Sequence, residues 1–242
     1  MDDASSDRMS EHAPSSPSRR LVEMIPLGVR DRYRSAYYGL RERYYGLRRR
    51  VAPPKLPTQP PGKFYVNLGC GELNHPAFVN VDTSPWEHVH YVHSVDSLPM
   101  FQSNTVDLIY CSHCLEHVPH HETARVLKEW HRVLKPGGIL KIGVPNLDAV
   151  IRFYQENPDK FEEAQWYFMG AQTYPANFHY AIFNEASLKG LLEAAGFGQV
   201  RPWTHDEAPE LLIDDCSRTL LQSRNGPIAL SLNMQGTKLA AS

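Results

Sequence analysis

Residues 64–72 read FYVNLGCGE, an apolar, aromatic and β-branched run that passes without a break into Gly69-Cys70-Gly71. The run Phe64–Leu68 predicts a buried strand, and the glycines predict a tight turn whose backbone N–H groups can come close to a ligand because no side chain intervenes. A strand feeding such a turn opens a nucleotide-type crevice. A dinucleotide fingerprint would need a further glycine at position 74, which is asparagine here, so a nicotinamide-dependent oxidoreductase is disfavoured. A Gly-x-Gly turn by itself is weak evidence, and its neighbours decide.

Outward from this turn, short apolar runs alternate with amphipathic ones. Strands are expected at Phe78–Val81, His90–Ser94, Val106–Cys111, Ile139–Val144, Gln199–Trp203 and Ile228–Met234. Helices are expected at about Thr123–Leu134, Leu147–Gln155 and Glu185–Ala195. The first of these carries Val126, Leu127, Trp130, Val133 and Leu134 on one stripe and stops at Lys135-Pro136-Gly137-Gly138. This alternation is the pattern of an α/β domain with a mainly parallel sheet. Asp82 closes the second expected strand, where a carboxylate can accept both hydroxyl protons of a ribose, and Asp96 closes the third. Three successive strand ends thereby offer Gly-Gly, Asp and Asp to one crevice.

The segments YVNLGCGELNHPAFVNVD (65–82), LPMFQSNTVDLIYCSHCLEHV (98–118) and LKEWHRVLKPGGILKIGVPNLD (127–148) carry a resemblance. Residues 63–236 resemble a class I S-adenosylmethionine-dependent methyltransferase of the type 11 group, and more narrowly the methyltransferases found with glycan and lipopolysaccharide biosynthesis enzymes. The resemblance implies a Rossmann-like α/β fold: a seven-stranded, mostly parallel sheet, helices on both faces, and the last strand antiparallel and beside the fifth. The turn SRNGP (223–227) supports the antiparallel run. The implied cofactor is S-adenosyl-L-methionine, with Gly69, Cys70 and Gly71 on its methionine part, Asp82 on the ribose, Asp96, Ser97 and Leu98 on the adenine, and Ser112 with His113 lining it from the fourth strand end. Two departures stand out. Asn67 occupies a place that is acidic in many members of the wider superfamily, and only ten residues separate Gly71 from Asp82, too few for a full crossover helix.

A sulfonium methyl needs no covalent enzyme intermediate, so such a protein must align a nucleophile and exclude water. If the nucleophile is a hydroxyl, a positioned base contributes about 10² to 10⁴ in rate, and histidine is the usual choice. His113, after the fourth strand, and His179, in the loop before Glu185–Ala195, are the expected catalytic residues; His117 is read as a helix-face residue. The acceptor implied by the resemblance is a sugar or glycan hydroxyl, and a small-molecule amine or carboxylate is the alternative. A non-catalytic cofactor-binding or scaffold protein is the reading from another class. The cluster Cys111-Ser112-His113-Cys114 with His117, His120 and His121 has thiol and imidazole groups, but Cys111 ends a buried strand, Cys114 falls in a following helix and no second paired ligand set occurs elsewhere, so no metal is expected. Histidines 88, 90 and 93 read as polar protection of an edge strand.

The 242 residues are 42% hydrophobic and 21% charged, a globular composition, with four cysteines that form no disulfide scaffold and point to a reducing cytoplasm. No apolar run approaches the roughly 20 residues of a membrane span, and the start is polar where a signal peptide would be greasy. Net charge is −2, yet residues 1–62 carry 12 Lys/Arg against 7 Asp/Glu and residues 63–242 carry 13 against 20. Residues 1–26, rich in Ser, Pro and charge, are expected to be disordered. Residues 27–62 read as a basic amphipathic helix followed by the stiff linker APPKLPTQPPG, and residues 63–242 as the enzyme domain. The helix places Tyr33, Tyr37, Leu40, Tyr44, Leu47 and Val51 at alternating spacings of 4 and 3, and repeats YYGLR seven residues apart. Such a helix suits packing on its own domain, pairing in a homodimer, or peripheral contact of residues 27–51 with the inner face of a membrane; nucleic acid is disfavoured.

Overall fold

The computed structural model describes residues 27–172, 177–207 and 213–240, and side chains from residue 39 onward. The tail expected to be disordered therefore lies outside the described residues. Among the described residues nine strands form: β1 Tyr65–Leu68, β2 Val79–Asp82, β3 Tyr91–Val92, β4 Val106–Ser112, β5 Leu134–Pro145, β6 Phe197–Pro202, β7 Leu220–Ser223, β8 Gly226–Ala229 and β9 Ser231–Lys238. The α-helices are α1 Leu27–Val51, α2 Thr123–Val133, α3 Leu147–Glu156, α4 Phe161–Met169 and α5 Glu185–Ala194.

Seven strands make one sheet in the order β3-β2-β1-β4-β5-β9-β6. Pairs from β3 to β5 are parallel, while β9 runs antiparallel to both β5 and β6. The expected Rossmann-like sheet with an antiparallel last strand is present. The order places β1 in the middle with the chain switching sides after β3, so a crevice opens at the carboxyl ends of β1 and β4.

One expectation needs correction. The sequence assigned a single strand to Ile228–Met234 and used the turn at 223–227 to aim it. Instead Ser223 pairs with Gly226, so that turn closes a separate two-stranded hairpin, β7–β8. The chain then breaks at Leu230, whose amide bonds the Thr219 carbonyl at 2.9 Å, before β9 begins at Ser231. The hairpin packs with α3 and α4 in a satellite core that includes Phe153, Tyr167, Leu221 and Ile228.

Burial follows the strand period of two. Along β4, Ile109 and Cys111 face the main core with α2 and α5, whereas Leu108 and Tyr110 face a second cluster with Phe78, Trp203 and Ile213. Helix α2 supplies Val126, Leu127, Trp130 and Val133, all fully buried, matching its expected stripe. Between β1 and β2, and between β2 and β3, the described chain forms turns and no helix, as the ten-residue spacing required.

Helix α1 covers part of this helix-free region with an unexpected face. The Arg49 guanidinium donates to the carbonyls of Val89 and His90, Arg48 pairs with Glu87 at 2.7 Å, and the Arg41 guanidinium lies 3.3 Å from the centre of the Trp86 ring. The apolar row Leu40, Tyr44, Leu47 and Val51 is left at 60% exposure or more. Among the described residues no helix is long and apolar enough to cross a membrane.

Candidate active site

The crevice starts at the turn after β1. Gly69 and Gly71 sit at φ +64° and +51°, a region open to glycine at no steric cost. The amides of Gly69 and Cys70 both donate to the Val81 carbonyl, at 2.9 and 3.3 Å, and the Gly71 amide donates to Asp82 Oδ2 at 2.8 Å. His88 Nε2 in turn donates to the Gly71 carbonyl at 2.9 Å, a contact that edge-strand protection did not anticipate. The turn is thus laced to the end of β2.

A Cβ on Gly69 would stand 2.3 Å from Cys114 Sγ, whereas one on Gly71 would meet nothing within 4 Å. Gly69 is pressed against the segment after β4, and Gly71 borders open space. Asp82 Oδ1 accepts the Ser84 amide at 2.8 Å, so each carboxylate oxygen is held by one backbone donor and keeps a second acceptor site. A glycine turn open on one side, with a fixed carboxylate beside it, fits an adenosyl cofactor. Cys70 is buried, which pushes its thiol well above the ordinary range, so it offers no thiolate.

The other cofactor candidates are placed less uniformly. Asp96 lies four residues beyond β3 in a loop fastened to α2, with Arg125 3.6 Å from its carboxylate and bonded to its carbonyl at 3.0 Å. Ser97 is exposed. Leu98 requires correction: its side chain is fully buried in the main core, and its amide donates to Glu129 Oε1 at 2.7 Å, so it anchors the loop and does not line the crevice. Ser112 ends β4, one residue past Cys111, which pairs with Leu68 in β1.

Beyond β4 the chain bends sharply. His113 has φ +49°, a conformation that costs a non-glycine residue of order 1 kcal/mol or more and is held here by its amide bond to the Gly143 carbonyl at 2.8 Å. Its Nε2 bonds Ser231 Oγ, whose own proton goes to the Cys216 carbonyl at 2.9 Å, and its Nδ1 lies 3.4 Å from Glu116 Oε1. Nε2 of His113 is thus the donor to Ser231 Oγ, while Nδ1 lies near Glu116 without a hydrogen bond to it.

Glu116 escaped the sequence reading altogether. It sits in a short 3-10 turn, Leu115–His117, with 1% exposure, and neither carboxylate oxygen has a hydrogen-bond partner. Burial works to raise its carboxyl, but the contact and charge of His113, then the charge of His117, outweigh that and hold it below the ordinary value. Its carbonyl accepts the amides of Tyr180 and Ala181 at 2.8 and 3.2 Å, which draws residues 178–181 across the site. That segment brings His179 to His117, with ring centres 5.0 Å apart. The one available sequence signal was a carboxylate between Leu115 and Val118, both apolar.

The hydrogen bonds of these two rings define their tautomers. His117 Nδ1 donates to the Phe178 carbonyl at 2.9 Å and His179 Nδ1 to the Tyr167 carbonyl at 3.1 Å. A carbonyl can only accept, so the proton is on Nδ1 and the lone pair on Nε2 in both neutral rings. Burial lowers the affinity of His179 for a second proton. The Cys111, Cys114, His120 and His121 side chains join no ligand cluster among the described residues.

A central β1 ending in an open glycine turn, an acidic residue at the end of β2 and an imidazole group past β4 define an adenosyl-cofactor enzyme of the α/β class. The chain belongs to the methyltransferase domain family, whose model matches residues 41–201, and S-adenosyl-L-methionine is its cofactor. Solved structures of similar shape include a SAM-dependent methyltransferase of Thermotoga maritima, 19% identical with a TM-score of 0.46, covering 86% of this chain and 97% of that one. Another, from Methanosarcina mazei, is 17% identical with a TM-score of 0.47, covering 79% and 97%. No curated protein matches the sequence.

Proposed function

We propose that the methyl acceptor is a hydroxyl of a sugar or glycan intermediate and that His179 is the base that takes its proton. S-adenosylmethionine supplies an electrophilic methyl on a sulfonium; the chain's own residues orient the acceptor, exclude water and remove the proton. The observation that carries this reading is the His179 ring, whose Nδ1–H is committed to the Tyr167 carbonyl while its Nε2 lone pair is free to accept. Burial keeps that ring neutral near pH 7, and the Glu116 carboxylate favours the imidazolium once it forms. His113, whose Nε2 donates to Ser231 Oγ, is a positioning residue beside Glu116.

The ring-shaped acceptor has support next door. Phe178 and Tyr180 flank His179 with their planes 20° apart, and Tyr180 is half exposed, which offers flat apolar surface beside the base. The exposed row on α1 supports reversible contact with the cytoplasmic face of a membrane that carries such an acceptor.

The test is formation of S-adenosylhomocysteine with sugar hydroxyl acceptors against amine and carboxylate acceptors. His179→Ala is expected to lower turnover about 10²-fold or more with unchanged cofactor affinity. Full turnover in that variant would remove His179 from the mechanism, and turnover confined to amines would remove the hydroxyl acceptor.

A further inference from the structure

Glu116, His117 and His179 form a group whose properties go beyond a single base. One ligand atom from each lies within 4.8 Å of the others. Tetrahedral ligands at zinc distances are about 3.4 Å apart, so closure on a cation asks for shifts of about 1 Å, within reach of side-chain torsions. Two independent features point to a cation. The first is the Glu116 carboxylate, 1% exposed, with neither oxygen hydrogen-bonded. A buried carboxylate in that state is costly unless a positive charge sits against it. The nearest group is His113, whose Nδ1 lies 3.4 Å from Oε1 and satisfies neither oxygen as a hydrogen bond.

The second feature is the pair of tautomers. Metal-bound histidines usually give their other ring N–H to a carbonyl or carboxylate, which fixes the ring and leaves the opposite nitrogen to the metal. His117 and His179 both do so, through the carbonyls of Phe178 and Tyr167. Two imidazole nitrogens with one carboxylate oxygen suit a first-row divalent cation of the zinc type, and three protein ligands leave a position open for water or an acceptor oxygen.

We propose that Glu116, His117 and His179 bind one divalent transition-metal ion beside the methyl-transfer crevice. This rests on the reading of the site as the acceptor side only for its purpose; the binding itself stands on the ligand set. It replaces the expectation of no metal, which was drawn from Cys111, Cys114, His113, His117, His120 and His121 and took in neither Glu116 nor His179. With the cation bound, the Nε2 of His179 is a ligand, and its role as free base is confined to the metal-free protein.

The probe is Co²⁺, whose visible ligand-field absorption reports nitrogen and oxygen ligation, added to full-length protein stripped with a chelator and followed by Zn²⁺ displacement. One saturable equivalent is expected, with His179→Ala and His117→Ala each weakening it about 100-fold or more. Glu116→Gln should do the same if it folds; the two histidine variants carry the test if it does not. The surface double variant His120→Asn/His121→Asn should bind as the parent does. Absence of saturable binding, or equal affinity in the histidine variants with folded circular dichroism, overturns the proposal. S-adenosylhomocysteine affinity measured on the same samples separates the outcomes. Retained affinity without metal binding removes the metal alone, and lost affinity in the parent protein removes the cofactor site.

Discussion

The amide of Gly71 and the carboxylate of Asp82 are joined by a 2.8 Å hydrogen bond that fastens the turn after β1 to the end of β2. Asp82 therefore shapes the turn, and each of its carboxylate oxygens keeps an acceptor site for the proposed contact with the ribose. Asp82→Ala is expected to weaken S-adenosylhomocysteine binding by about 1.5 to 3 kcal/mol, the range for a lost charge-assisted hydrogen bond. Asp82→Asn keeps an oxygen for the Gly71 amide and should lose less. Calorimetric titration of both variants checks this, and equal affinity in Asp82→Ala and parent would place the ribose elsewhere.

Gly170 is packed against His179, as Gly69 is packed against Cys114. Its φ is +75°, and an added Cβ would lie 2.6 Å from the Asn177 carbonyl oxygen and 2.9 Å from His179 Cδ2. Gly170→Ala should therefore displace His179, lowering turnover about tenfold or more while cofactor affinity stays within twofold. Steady-state kinetics beside a binding titration reads the split.

Five histidines give stability a direction with pH. Burial holds His75, His90, His131, His179 and His205 below the ordinary imidazole value of 6.5. His90 shows why: its Nδ1 accepts the Asn80 amide at 2.8 Å and its Nε2 donates to the Lys55 carbonyl at 3.1 Å, so a second proton would break the first bond. In the window below about pH 6.5 the unfolded chain takes up these protons before the folded one, so stability is full above that pH and falls as pH drops through it. Thermal midpoints measured from about pH 8 to about pH 5 should be flat and then decline, with a shallower decline in His90→Gln.

Because Arg41, Arg48 and Arg49 face the domain, the apolar row of α1 is the face left to meet a lipid surface, with Arg43 and Arg50 exposed on the same helix. Full-length protein is expected to sediment with anionic vesicles, a chain beginning at Lys63 is not, and Leu40→Asp/Leu47→Asp should abolish the binding. Added salt should weaken it only modestly, since screening acts on charge and not on apolar burial. Unchanged sedimentation in the double variant, with dimerisation lost instead, would assign the row to a second copy of the chain.

Features encoded within a few residues were legible in the sequence. The strand Tyr65–Leu68, the glycine turn and Asp82 are contiguous, and α2 announced itself through Val126, Leu127, Trp130 and Val133 on one stripe. Features made by distant segments were not. Glu116 is a polar residue in an apolar turn until residues 178–181 return to cover it, and Leu98 looked like a crevice residue until Glu129 and the core claimed it. Helix α4, FEEAQWYFM, places Trp166 and Met169 in the exposed half of its surface and shows no clean apolar stripe. The break at Leu230 depends on a bond to Thr219, so a run of alternating apolar residues hid two strands.

The position of β9 sets an order of assembly. Among the described strands it is the last in chain order, yet it lies between β5 and β6 and bonds to both. A chain emerging residue by residue can close β1, β2 and β4 early, whereas β5 and β6 must wait with unpaired edges until residues 231–238 arrive between them. Between synthesis of Pro202 and of Lys238 both strands thus carry unpaired edges, the kind of exposure that a chaperone shielding strand edges would cover.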